Sequence, residues 1–439
     1  MPSRRTLLAL AGKECRELVA ARSWWVLLLA MGPLVGVAFI SAVRTYAEAS
    51  GLNGTAAGVG EAFSPLVGIW APTFSACELG AAFLLPFVAI RLVSGDQQSG
   101  ALKLELQRAL PSFVRVGIKA LVLMAGWLIA SAPTAVAMML WKGYGGHVYV
   151  PEIVTVALGH VLNAGLTIAL AAAAASLTAH PSTAAIVTLA VTVGTWILNF
   201  VAAVHGGLWE RAASYTPTAM VAAFQHGLVQ LDVLLIAAVL ILCGLTISAL
   251  WMRLGMPTRR KAIESAAVLA VTAVAILGCA QVRASWDTSE SRSNSFSRVD
   301  EAALRQIREP LKIVAYLAPQ DPRRFDLEHR ALSKLRRVVP SLDVEYVSST
   351  SIGLFEQTAD HYGEVWYHLP GRSRMTRSTT VEGVLETIYE LARITPPDDE
   401  QRDVFRGYPL AAPPRGAAIT FFGAWPLVVA TAAILLNRR

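Results

Sequence analysis

Leu231-Asp-Val-Leu-Leu-Ile-Ala-Ala-Val-Leu240-Ile-Leu-Cys243-Gly-Leu-Thr-Ile-Ser-Ala-Leu250-Trp-Met252 decides the architecture. Its only charged side chain is Asp232, at the edge. A helix of this length, at about 1.5 Å per residue, covers the ~30 Å hydrocarbon core of a bilayer. Comparable runs lie at 24–43, 73–93, 117–140, 153–177, 184–204, 264–282 and 417–436, which gives eight expected spans. The limits of the second are the hardest to draw, because Glu78 lies inside it. The whole chain of 439 residues is 54% hydrophobic and only 16% charged. Soluble domains carry roughly 25% charged residues, so the composition excludes an ordinary soluble protein.

The charge is unevenly distributed. Residues 283–416 hold 19 basic and 20 acidic residues, so the net charge of +7 resides in the apolar part. That bias reads as membrane topology rather than nucleic-acid binding. One set of short flanks carries Arg4, Arg5, Lys13, Arg16 and Arg22, then Arg91, Lys103, Arg108, Arg115 and Lys119. The same side continues with Arg253, Arg259, Arg260, Lys261, Arg438 and Arg439, sixteen in all. The opposite flanks carry three: Arg44, Lys142 and Arg211. Both termini are therefore expected in the cytoplasm and 283–416 outside. Ser3-Arg4-Arg5-Thr6-Leu7-Leu8 has the look of a twin-arginine export signal. Charges continue to Arg22, however, and the apolar run that follows is longer than a signal core, which favours an ordinary first span. Gly32 and Gly36 form a small-xxx-small pair in that span, the spacing that lets a second helix approach closely.

Between the second and third spans the sequence reads Pro86 … Arg91 … Gly95-Asp96-Gln-Gln-Ser-Gly100-Ala-Leu102-Lys-Leu-Glu-Leu106 … Pro111 … Arg115 … Lys119. Leucines interleaved with charges allow an amphipathic helix along the membrane surface, which Pro111 ends. This pattern resembles permeases of the type-2 ABC exporter class. A second segment, Tyr215-Thr-Pro217 … Phe224-Gln-His-Gly227 … Asp232, resembles the outer-side segment that precedes the sixth span in that class. The resemblance covers about residues 7–255 and departs from the family at Asp96, where Glu is usual, and at Ala101, where Thr is usual. It implies that segment 94–115 couples to an ATPase through Asp96, Gly100, Leu102, Leu106, Pro111, Arg115 and Lys119. The chain has no G-x-x-x-x-G-K-[ST] loop, so ATP and its Mg belong to a separate ATP-binding subunit. The family also works in pairs, which implies a second permease copy or a related permease.

Residues 283–416 read as a small α/β domain, expected outside the membrane. Strands are expected at 311–317, 342–347 and 364–369, and helices at 321–338, 352–360 and 379–392. The alternation argues for a mostly parallel sheet. The stretch resembles the auxiliary domain of gliding-motility-type ABC systems, through Trp286-Asp-Thr288, Ser295-Phe-Ser297, Glu309-Pro-Leu-Lys-Ile and Tyr362-Gly363-Glu364. It is shorter than that family's usual form. All four cysteines (Cys15, Cys77, Cys243 and Cys279) lie elsewhere, so the domain has no disulfide and no thiol nucleophile. Arg372, Arg374 and Arg377 beside Pro370-Gly371 read as a solvated turn or an anion contact.

The expected organisation is a six-span permease domain at 1–255, a seventh span within 256–282, the outer domain at 283–416 with a Pro-rich tether, and an eighth span with a cytoplasmic end at 417–439. The expected function is the permease of an ATP-driven exporter in a bacterial inner membrane, with no catalytic or metal-ligating residues of its own. Glu78, placed about one turn into its span, is either a point on the substrate route or an interfacial residue. His160, three residues before Asn163, is expected to hydrogen-bond between helices. The alternatives are a mechanotransmitting scaffold and a membrane-tethered enzyme.

Overall fold

A computed structural model describes residues 4–52, 64–98, 110–205, 208–253, 255–282, 284–318, 321–339, 341–347, 361–397, 405–410 and 414–437. Among these, eight helices are long and apolar enough to cross a bilayer: Arg22–Ser50, Leu66–Asp96, Ser112–Gly143, Val150–Leu177, Pro181–Ala202, Leu231–Trp251, Thr258–Cys279 and Ile419–Leu436. The chain is a helical multi-pass membrane protein, and every expected span has its helix. It forms two compact units. One comprises Met1–Asn199, Ala213–Trp286 and Arg406–Arg439; the other comprises Phe200–Ala212 and Asp287–Phe405.

In the first unit the fourth span packs against the second, third and sixth. Small residues permit this: Ala171 to Ala175 are all buried, and a Cβ added at Gly244 of the sixth span would sit 2.9 Å from the Ala169 carbonyl oxygen. The small-residue pair of the first span also finds a partner. A Cβ on Gly32 would lie 2.1 Å from the Trp425 ring, and one on Gly36 would lie 2.5 Å from Phe421. Trp425 Nε1 donates to the Leu28 carbonyl at 2.8 Å, so the eighth span is seated on the first. The seventh span packs along the sixth and buries only Thr272 among its described residues.

The second span starts at Leu66, seven residues before the apolar run read from the sequence. Its first turns carry Thr73 and Ser75, whose hydroxyls donate to their own helix at Ile69 O (2.6 Å) and Pro72 O (2.6 Å). Those groups cost little inside a membrane once bonded, although they interrupt the hydropathy of the sequence. The break expected before the sixth span is also present. Thr216 caps the short helix Pro217–Gln225, and Gly227 then adopts φ +78°, which a Cβ would disfavour.

The second unit holds a four-stranded sheet: β1 (Leu311–Ala315), β2 (Leu342–Tyr346), β3 (Val365–Leu369) and β4 (Arg372–Thr376), in the order β2-β1-β3-β4. The expected mostly parallel sheet is corrected here. Only β1 and β2 run parallel, with Leu311 opposite Leu342; β3 is antiparallel to β1 and β4 to β3. Pro370-Gly371 supplies the reason for the last pairing, a two-residue turn with Gly371 at φ +75° that folds β4 straight back along β3. The arginines read as a turn therefore belong to a charged edge strand and its exit, a composition that discourages edge-to-edge pairing. Arg372 donates to the Leu391 carbonyl (3.1 Å), Arg374 meets Glu390 (3.5 Å) and Arg377 meets Glu364 (3.2 Å), so each has a partner within the unit. Leu327, Leu332 and Leu335, with Val384, Leu385, Ile388 and Leu391, bury the helices in one core with Ile313 and Tyr367. The helix expected at 352–360 lies outside the described residues, as does much of the Pro-rich stretch.

Asp321 closes one loop of this unit. It accepts the Arg323 backbone N–H (2.9 Å) and the Tyr362 hydroxyl (2.7 Å), and pairs with the Arg323 guanidinium at 2.7 Å. The Arg323 hydrogen bond is the chief cause that holds its carboxyl at about 2, below the ordinary 3.8. Its stabilising contribution is therefore complete above about pH 4 and lost as pH falls toward 2. In the Asp321→Asn protein, melting followed by intrinsic fluorescence should depend less on pH across that window than in the wild type. Identical acid limbs in the two proteins would show that Asp321 contributes nothing there.

Candidate functional site

Two places in the first unit gather polar groups where the surroundings are apolar. The first lies at one end of the bundle. The N-terminal helix Arg4–Ala20 buries Leu10, Glu14 and Leu18, a stripe at i, i+4, i+8 with a carboxylate in its middle. Glu14 meets Lys119 of the third span, Nζ to Oε2 at 2.6 Å. The same Nζ lies 2.6 Å from Asp96 Oδ2 at the end of the second span, and it donates to the Leu92 carbonyl at 3.2 Å. Lys13 approaches the other side of Asp96 at 2.9 Å and also pairs with Glu17 at 3.1 Å. The side chains of Glu14, Asp96 and Lys119 are only 1–3% exposed. Burial raises the Glu14 carboxyl above its ordinary pKa, against the opposing pull of Lys119 and Lys13.

Charges buried this deeply cost desolvation, and their attraction repays it only when every partner is in place. The cluster is thus a joint that ties the N-terminal helix to the facing ends of two spans. Oxygen atoms of Glu14, Glu17 and Asp96 lie within 4.8 Å of one another, a spacing that suits a cation, but the ammonium groups of Lys13 and Lys119 already serve that charge. Beside the joint is a cleft of about 540 Å³ lined by Glu17, Leu18, Arg91, Ser94, Asp96 and Pro181.

Of the residues expected to couple to an ATPase, Asp96 and Lys119 come into direct contact. Arg115 lies one turn before Lys119 and is also buried, at 5% exposure. Pro111 caps the third span's helix. Gly100, Leu102 and Leu106 lie outside the described residues. Asp96, Arg115 and Lys119 are all buried, so each exposes little surface. Sequence reading missed Glu14 and counted Lys13 only toward topology. The signal was present in the Leu10–Glu14–Leu18 stripe.

The second place surrounds Glu78. It lies twelve residues, about three turns, after Leu66, which corrects the expectation of a single turn. The earlier start of the helix accounts for the difference. Glu78 is half-buried and is shared by two adjoining cavities of about 60 and 400 Å³. The smaller is lined by Asn163, Thr167, Thr192 and Thr195 among others; the larger opens past Ser75, Leu79, Trp196 and Asn199. Thr218 borders both cavities, and its side chain hydrogen-bonds Glu78. Asn199 Oδ1 accepts the Thr216 hydroxyl at 2.8 Å, a link from the fifth span to the cap of the helix Pro217–Gln225. His160, one turn before Asn163, is buried against the Phe74 ring and lies 3.4 Å from the Gln225 amide, the expected contact between helices.

No family model matches the chain, and no curated protein is significantly similar to it.

Proposed function

We propose that this chain is the membrane-spanning permease of an ATP-driven exporter of the type-2 ABC class. It works with a separate ATP-binding subunit, which holds ATP and Mg, and with a second permease copy or a related permease. In this reading it lies in a bacterial inner membrane with both termini cytoplasmic, and the α/β unit within 283–416 is outside. The observation that carries the proposal is the buried joint of Glu14, Asp96 and Lys119. It lies at the end of the bundle from which segment 94–115 leaves, and that end carries the excess of basic flanks. A partner that displaces segment 94–115 would move the second and third spans together with the N-terminal helix, because one ammonium group holds all three. The adjacent cleft offers both signs of charge, through Glu17 and Arg91, to a docking element.

The test is affinity purification of the tagged chain from its native membranes in mild detergent. An ATP-binding subunit should co-purify, and the reconstituted pair should move a substrate only with hydrolysable ATP. Absence of any such subunit overturns the proposal. Co-purification without movement of any solute or lipid would instead make the chain a mechanotransmitting scaffold.

A further inference from the structure

We infer that the Glu78 cleft binds a ligand carrying a primary ammonium group on an apolar body. The inference deepens the exporter reading and rests on it for the direction in which the ligand moves; the binding itself stands on the geometry of the cleft. A carboxylate three turns inside a span is costly unless a partner reaches it. Glu14 and Asp96 have lysines at 2.6 Å. Glu78 has none: among the described residues, no Lys, Arg or His pairs with it, and Thr218 is its hydrogen-bond partner.

Two hydroxyls that line the inner cavity are arranged as acceptors. The Thr192 hydroxyl donates to the Thr188 carbonyl at 3.0 Å, and the Thr195 hydroxyl to the Thr192 carbonyl at 2.7 Å. Both thereby spend their protons on their own helix and leave oxygen lone pairs to accept. Asn163 and Trp196 can donate neutral N–H groups, but among the described residues no cationic side chain lines either cavity to meet the carboxylate. A primary ammonium supplies three donors, with a positive charge. The inner cavity of about 60 Å³ has room for such a head group and little more. The outer cleft of about 400 Å³ lies between Leu79 and Trp196, where an apolar body would rest and an indole face could meet the cation.

The probe is dansylcadaverine, a primary ammonium on a fluorescent apolar group, titrated onto the purified full chain in lipid nanodiscs with empty nanodiscs as the blank. Saturable binding is expected. It should weaken on the order of tenfold or more in Glu78→Gln and with the N-acetylated, neutral probe on the wild type, because each removes one side of a charge-assisted contact. Thr192→Val, which keeps the shape and removes an acceptor, should weaken it less. The inference is overturned if no saturable binding exceeds the blank, or if the acetylated probe binds as well as the amine. If Glu78→Gln fails to fold, the comparison of the two probes on the wild type decides. The assay contains no nucleotide and no ATPase, so its failure removes the ligand and leaves the exporter reading to its own test.

Discussion

Replacing Lys119 with Met should lower the stability of the membrane-embedded bundle by about 3–5 kcal/mol, the cost of leaving buried carboxylates without their cation. Lys119 is the buried cation of the joint, 2.6 Å from both Glu14 and Asp96, and none of the three is more than 3% exposed. Methionine matches the length of the lysine stem, so the loss isolates the charge from the packing. Lys13 also reaches both carboxylates, Asp96 at 2.9 Å and Glu14 at 3.6 Å, but its side chain is 28% exposed and partly screened. Its replacement by Met should cost only about 0–1 kcal/mol. The triple variant Glu14→Gln, Asp96→Asn, Lys119→Met should recover most of the loss, because uncharged neighbours no longer need a cation. Thermal unfolding in nanodiscs, read by intrinsic fluorescence, ranks the variants. A single Lys119→Met protein that melts with the wild type would show that this joint does not hold the three segments. If the joint also transmits motion, the triple variant should regain stability without regaining coupled ATP hydrolysis.

The spans were legible because a bilayer demands length and apolarity from each segment alone, and Leu231–Trp251 meets that demand without help from its neighbours. The joint was not legible in the same way. Lys119 and Glu14 stand 105 residues apart, and nothing in the local pattern near either says which carboxylate meets which amine. Only the placement of Glu14 between Leu10 and Leu18 marked one member as facing inward. The start of the second span was hidden because Pro72 reads as the beginning of a helix, whereas Leu66–Trp70 already forms a helical turn before it. In the second unit the helical stripes and three strands could be read from their periodicity. β4 could not, since Arg372, Ser373, Arg374 and Met375 carry no apolar alternation, and its place at the sheet edge asks for none. The cavities at Glu78 needed three dimensions, because the second, fourth and fifth spans and the helix Pro217–Gln225 each contribute a wall.

Gly32→Leu should dislodge the eighth span from the first and cost about 1–3 kcal/mol, as overpacking does in a close-packed interior. The Gly32–Gly36 spacing announced that some helix would come near, and the partner proves to be the last in the chain. Even a bare Cβ at Gly32 would meet the Trp425 ring at 2.1 Å, and the ring has little freedom to retreat while its Nε1 holds the Leu28 carbonyl. Retreat would break that bond, worth about 1 kcal/mol, and would shift Phe421 away from Phe39, where the rings now meet edge-on at 6.1 Å. Gly194 provides the control. Nothing lies within 4 Å of a Cβ built there, so Gly194→Leu, an equal gain of apolar volume in another span, should melt close to the wild type. Trp425→Ala alone should also destabilise, through the cavity it leaves. Combined with Gly32→Leu it should cost less than the sum of the two, because the new side chain fills the vacated space. Strict additivity would mean that the two positions do not touch and that the eighth span lies elsewhere.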